Sequence, residues 1–526
     1  MKLRNILVSI CFLAATLPVA GQEAEACREF RFHTDSDPYL FLGNPAALSV
    51  FSGHISMAEA SFRKDNGGLV SLTESPDSYK AGALTESYIS VSDKVSFHGK
   101  LSWSYFDGKG MGAHVLMDPS FNPVNFLESD PGTAGGRNRE DYSLLGAMSY
   151  RLGDRWSLGA GIEYSAADQT KVKDPRFSSI WMDMGLKAGV SFRPSESSLL
   201  GLSLVYRSTL EQVKGGIYGT TDQQYFVLTD KGYFFGTVEE LAGDYNKISV
   251  TNIRPMKNDF YGLSLSAVAG GFSNELEVLY RSGYYGKKSS GTATFYEYSG
   301  LNADYRGQLL ARSGQDLHRM TLDLGYQLLA NDENLFEYVT RTGENTEVQY
   351  YGSNQISYSH LMDAALAYEW SKDAGGYLPS FVAGAALTGK ADLHSAVLYP
   401  FSREDEIYKV SASAFARKNL EKGKSIFSFE LGAGYRTGFS SADDKVYSEP
   451  SATSIQVFEA YRNRQLEYDT ASAASANIGI GYTIRITDKF APCVKLTDCF
   501  TTLLAAPQYL SGRTRNVALL TVGCTF

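Results

Sequence analysis

Hydrophobic and polar residues alternate along most of this chain. Val95, Phe97, Gly99, Leu101, Trp103 and Tyr105 fall on one face of a run, and Ser96, His98, Lys100, Ser102 and Ser104 on the other. A period of two marks a strand with one apolar and one polar side. The pattern returns over Trp156–Tyr164, Ile180–Phe192, Met320–Leu328, Met362–Trp370, Phe427–Tyr435 and Ile478–Ile486. Strands of about 10 to 15 residues exceed the usual soluble length of about 5 or 6. They suit the roughly 9–11 residues that a tilted strand needs to cross a bilayer.

The connections alternate too. Tight turns are expected at Ser92–Lys94, Gly153–Arg155, Pro194–Ser197, Gly270–Asn274, Lys372–Gly376 and Thr487–Lys489. Long polar connections are expected near 107–140, 209–258, 286–316 and 438–472. This asymmetry predicts an all-β fold: a single transmembrane antiparallel β-barrel of about 14–18 strands, with short periplasmic turns and long extracellular loops. The barrel is expected over 54–526. A secreted sandwich or propeller is the competing all-β architecture, but it would show shorter strands and no such asymmetry. In the last strand Ala518, Leu520, Val522, Cys524 and the terminal Phe526 share a face. An aromatic there resembles the C-terminal signal read by the barrel-assembly machinery of bacterial outer membranes, and Phe526 is assigned that role.

Composition narrows the picture. The 526 residues include 50 Gly, 34 Tyr and 29 Phe, and are 43% hydrophobic, too apolar for a disordered chain. The net charge of −9 comes with no basic block, which argues against a nucleic-acid partner. Lys2 and Arg4, the apolar run Ile6–Leu17, the break at Pro18 and the small residues Val19-Ala20-Gly21 read as a signal peptide over 1–21. The expected location is the outer membrane of a Gram-negative bacterium, with the bilayer, the assembly machinery and a further outer-membrane protein as partners. Residues 22–53 then form a periplasmic or luminal segment ahead of the barrel. About 505 mature residues are too few for 22 strands and the plug of a TonB-dependent transporter.

If apolar faces meet lipid, polar faces line the lumen. They carry Lys100, Lys187, Arg281, Arg436, Arg485 and Lys495, and Asp183, Asp323, Asp363 and Glu369. Arg193, Arg207, Arg319, Glu163, Glu275, Glu277 and Glu430 bring the wall close to neutrality, unlike a channel selective for one sign of ion. Trp181 is the large aromatic on the inward register. Most rings near strand ends, such as Trp103, Tyr105, Tyr368 and Trp370, read as girdles at the membrane interfaces.

No catalytic, cofactor-binding or metal site is expected. The seven His are scattered without metal-ligand spacing, and there is no nucleophile elbow or phosphate loop. His98 beside Ser96 and Ser102 is the one catalytic candidate, and a polar lumen residue is the plainer reading. Cys493 and Cys499 sit six apart on one strand, roughly 20 Å, too far to bond each other. A tether from Cys27 to either is one hypothesis, and free thiols the other.

Leu42-Gly43-Asn44-Pro45-Ala46-Ala47-Leu48 ahead of the first strand resembles the N-terminal motif of long-chain fatty-acid transporter-like barrels and of related Bacteroidota barrels. That resemblance implies a hatch entering the lumen over 22–50, with Asn44, Pro45 and Ala46 in it. As a whole the Tyr-rich chain is similar to an uncharacterised Bacteroidota outer-membrane barrel family. Two functions stay open. One is a channel or transporter for small or amphipathic solutes, gated by the N-terminal segment. The other is a non-transporting receptor, adhesin or complex partner acting through long aromatic loops, with Tyr218, Tyr225, Phe226, Tyr233, Phe234, Phe235 and Tyr245 near 209–258.

Overall fold

A computed structural model describes residues 28–526 apart from 120–121, 123, 220–221, 242–245, 290–291, 342, 344–345, 448–454 and 488. The signal-peptide reading, Cys27 and Tyr245 therefore lie outside the described residues. Eighteen antiparallel strands form one sheet. The first, His54–Gly67, pairs with both the second, Asp77–Ser92, and the last, Thr514–Thr525, so the sheet closes on itself. Ser56 and Phe526 exchange both backbone hydrogen bonds at 2.8 Å across that seam. Closure leaves no strand edge unpaired.

The alternation sets the two faces. Leu101, Leu158, Ile180, Leu366, Leu431, Ile478 and Val522 all lie on the outside and are exposed. Their neighbours one residue along point into the barrel. An apolar band around a closed sheet is stable against hydrocarbon and costly against water.

Short turns such as 93–94, 196–197 and 314–315 gather at one end of the barrel. At the other end several strands run far past any bilayer. Glu347–Lys372 has 26 residues, roughly 85 Å at about 3.3 Å each. Two expected loops are therefore corrected. The stretch 286–316 is mostly the strand Thr292–Ser313, and the strand Ser425–Val446 continues into 438–472. Polar composition misled there, because Ala303 and Gly307 dilute the outward face of Thr292–Ser313, and the end of Ser425–Val446 extends above the lipid with no apolar face to declare it. The turn after Lys372 is also longer than expected, since the next strand begins at Phe381.

Three long connections turn inward. Asn125–Glu128, Phe226–Gly232, Phe235–Glu240 and Ile455–Val457 form a separate four-stranded sheet, followed by the helix Glu459–Thr470. Phe126, Val227 and Phe235 pack on the inward wall residues Met256, Tyr285, Tyr296 and Leu398 in the largest buried cluster. We call this the cap. At the short-turn end the lumen holds the N-terminal segment, with a short helix Phe30–Asp35 and a 3-10 turn Pro45–Val50. We call this the plug.

Candidate functional site

The plug is seated by shape. At Gly159 an added Cβ would come within 2.2 Å of the Ala46 nitrogen, and at Gly189 within 2.2 Å of the Asn44 side-chain oxygen. Only glycine lets the plug backbone lie this close to the wall. Asn44 caps the 3-10 turn by accepting from the Ala46 N–H at 2.9 Å and donates to the Val190 carbonyl at 3.2 Å. Pro45 opens the turn and Ala46 is fully buried. Glu275 on the wall accepts from the Gly43 N–H and from the Ser264 hydroxyl, both at 2.6 Å. Asn44, Pro45 and Ala46 are thus the residues that fill the mouth.

Behind the plug lies a cavity of about 970 Å³. Its wall carries opposite charges in pairs. Arg207 grips Asp183 with two hydrogen bonds of 3.0 and 2.6 Å, and Lys187 meets Glu277 at 2.8 Å. Glu86 takes His98 at 2.9 Å and Lys100 at 3.4 Å. Arg306 lies 3.8 Å from Asp323 and stacks 4.8 Å over the Phe41 ring of the plug. Arg319 bridges Glu369 at 3.4 Å and Asp35 of the plug at 2.7 Å. Such a wall suits solutes carrying both signs or many hydroxyls, and repels bare hydrocarbon.

Of the residues singled out in the sequence, Lys100, Asp183, Lys187 and Asp323 line this cavity. Glu369 borders it through Arg319. Asp363 faces inward opposite Lys390, and Lys495 pairs with Glu430 at 3.2 Å further round the wall. Arg436 stacks 4.5 Å from the Tyr468 ring of the cap helix. Three of these residues lie away from the cavity. Arg281 is fully buried, donating to Asn258 at 2.8 Å and to Asn122 of a cap connection at 3.3 Å, so it ties the cap down. Trp181 faces inward opposite Glu211 but does not line the cavity. Arg485 lies past the end of its strand, where it pairs with Glu421 and donates to the Gly423 carbonyl.

Arg31, Asp35, Glu86 and Arg306 were missed. Arg306 sits in the stretch read as a loop. Glu86 lies in a strand where Lys80, Gly82, Leu84 and Tyr88 share its inward face, too mixed to stand out. His98 bonds Glu86, while Ser96 donates to the Phe51 carbonyl at 3.4 Å, so His98 and Ser96 do not pair as base and nucleophile. Among the described residues no group of three His, Cys, Asp or Glu is placed to hold a metal ion. The rings of Phe234 and Phe235 are buried, so much of the long aromatic connection folds into the barrel; of its described rings Tyr218 and, less so, Phe226 stand exposed.

An even-stranded antiparallel barrel with an apolar outside and a polar, occupied inside is the architecture of outer-membrane barrels. Within that class the chain belongs to the family of unknown function DUF6850, whose model matches residues 45–526. No curated protein matches the sequence. Among solved structures it is similar to a Pseudomonas aeruginosa FadL homologue, at 10% identity and a TM-score of 0.31 over 96% of this chain and 99% of that one. It is also similar to BauA, the ferric preacinetobactin receptor of Acinetobacter baumannii, at 8% identity and 0.39 over 90% and 80%. The FrpB iron transporter of Neisseria meningitidis gives 8% and 0.39 over 92% and 84%. At such scores no substrate or activity is carried over.

Proposed function

We propose that this chain is an outer-membrane barrel that passes small polar solutes, with the N-terminal segment as its gate on the periplasmic side. The observation that carries this reading is the plug itself: one continuous stretch, joined to the barrel only through residues 51–53, fills the short-turn mouth below a charged cavity. Of the small or amphipathic solutes that the channel reading allowed, the paired charges favour small polar ones. The barrel would reach the membrane after loss of residues 1–21, with Phe526 as the signal for the assembly machinery. Planar-bilayer conductance tests it. The mature chain should conduct in brief openings, and a chain lacking residues 22–50 should conduct steadily. Silence from both would end the channel reading.

One observation favours the second reading, a partner-binding barrel. The strands that rise above the lipid expose Tyr350, Tyr351 and Tyr399 at 47%, 60% and 75%, and such rings suit a protein contact. A folded barrel that stays silent with and without residues 22–50 would shift the weight to that side.

A further inference from the structure

A second cavity, of about 360 Å³, lies higher in the barrel between the cap and the wall. That volume is within the range of small-molecule sites, about 300–1,000 Å³. Asp392 and Lys409 reach it from two wall strands, Gln465 and Asp469 from the cap helix, and Tyr233 from the tip of the hairpin joining Phe226–Gly232 to Phe235–Glu240.

The hairpin tip is the unusual element. Tyr233 and Phe234 are its two turn residues, with φ of +41° and +67°. A two-residue turn with both φ positive calls for Asn-Gly, because a bulky side chain crowds its own backbone there. Asp230 steadies the turn by accepting from the Gly232 and Phe234 N–H groups at 3.1 and 2.9 Å. Phe234 is accounted for by packing, being 3% exposed among Leu72, Ala113, Leu127, Leu228 and Tyr461. Tyr233 is only part-buried. Its ring lies 5.8 Å from His394, nearly parallel, and its hydroxyl donates to Asp469 at 3.3 Å. One side of Tyr233 packs on that cluster, 5.2 Å from the Phe234 ring, and the residue also borders the cavity; a strained residue at a cavity points to use.

The polar groups narrow the ligand. Lys409 stands between Asp392 at 2.6 Å and Asp469 at 3.6 Å. Lys231, also in the lining, is held by Glu333 at 2.7 Å, so both ammonium groups are already paired and a ligand of either charge would have to displace a partner. A hydroxyl, which both donates and accepts, satisfies either kind of group. The flat C–H face of a sugar ring suits an aromatic side chain that also has a polar tip.

We propose that this cavity binds a small neutral polyhydroxylated molecule, one or two sugar rings in size, with Tyr233 as its platform and Asp392, Lys409 and Asp469 as its hydroxyl partners. The site does not depend on the barrel conducting, since a silent barrel can still bind. The test is calorimetric titration of the detergent-solubilised full chain with glucose, galactose, maltose and lactose, and with choline and succinate as charged probes. At least one sugar should bind saturably and the charged probes should not. Asp469→Asn should weaken that binding at least tenfold, and Lys94→Gln, in an exposed short turn at the far end of the barrel, should leave it unchanged. Tyr233→Asn separates a binding role from a structural one, because Asn suits the turn. It should abolish binding while leaving thermal unfolding at the same temperature or higher. Four inert sugars, preferential binding of choline or succinate, or sugar binding that survives Tyr233→Asn would each overturn the proposal. So would a Tyr233→Asn protein with a lowered unfolding temperature.

Discussion

The plug and the cap sit inside the same barrel at opposite ends, but are held there by different physics. The plug rests on close backbone approach at glycines and on hydrogen bonds to Asn44 and Glu275. Its ion pairs are open to water: Arg31 bonds Glu59 at 2.7 Å with 59% of the Arg31 side chain exposed. Pairs of that kind contribute about 1 kcal/mol or less. The cap is stitched by desolvated charges. Glu128 receives Arg137 at 3.2 Å, Lys171 and the Thr133 hydroxyl, with the three charged side chains at most 5% exposed. Asp405 similarly joins Arg403 and Arg462 of the cap helix at 3.0 Å each. Charges buried this way add little net stability when complete, but breaking one is costly. The end that must open should be held by interactions that water can replace, and the end that must stay by those it cannot. The plug has the first set and the cap the second.

Breaking the cap should therefore cost most. Glu128→Ala leaves Arg137 and Lys171 buried without their carboxylate, and should destabilise the cap by about 3–5 kcal/mol. Hydrogen exchange of the 226–240 amides should accelerate accordingly while the barrel strands stay protected. Unchanged exchange there would refute the contrast. Next in size is Gly159→Val, whose added carbons run into the Pro45–Ala46 backbone rather than a movable side chain. Overpacking of that kind costs typically 1–3 kcal/mol. Here the plug can escape it by leaving, so trypsin should cut at Arg28 and Arg31 much faster and conductance should rise. Smaller still is Glu275→Gln. It turns bonds to a charged acceptor, about 1.5–3 kcal/mol each, into neutral ones of about 0.5–1.5 kcal/mol each, so only the difference is lost where the amide oxygen keeps them. A partial rise in trypsin cleavage at the same sites should report it, with no change in the cap.

The contrast also shows what the sequence could reveal. The barrel was legible because lipid outside and polar lumen inside force a strict alternation, and Leu101 or Ile180 can face only one way. The plug was suggested only by the resemblance carried on Leu42–Leu48, since Asn44-Pro45 by its local chemistry announces a turn and not a seat inside a wall. Arg281 was placed on the correct face, but its partner Asn122 lies 159 residues away, and no local pattern announces such a contact. Trp181 was likewise correctly turned inward, yet register alone does not give height in the barrel. The cap was read as loop for the same reason. Strands of 3 to 7 residues such as Ile455–Val457 and Phe226–Gly232 carry too few positions for a period to show.

Protonation offers the subtlest separation of the two ends. His114, in a cap connection, is buried with its ring against the Asn125 amide. Burial, with the Arg137 charge nearby, pushes its pKa down to about 3 from 6.5. The folded cap thus refuses a proton that the opened cap accepts, and stability is lost as pH falls below about 6.5. Asp230 acts the other way. Burial pushes its carboxyl up to about 7, so its contribution is full at acid pH and is lost as pH rises through that value. The two partly cancel in the wild type, so the informative quantity is the difference from His114→Gln, in which Asp230 and all other groups are common. That difference should shift against the wild type by about 1.4 kcal/mol between neutrality and pH 5.5, read from the same cap amides. In the plug the sign reverses. Glu29, which accepts from the Phe32 N–H at 2.8 Å, has its carboxyl raised above the usual range chiefly by burial. Its contribution to seating is present in acid and lost as pH rises. Relative to Glu29→Gln, which keeps the acceptor, the wild-type plug should resist trypsin better at pH 5 than at pH 8. The same acidification should thus favour the seated plug while His114 loosens the cap, and a shift of the same sign at both ends would remove this distinction between them.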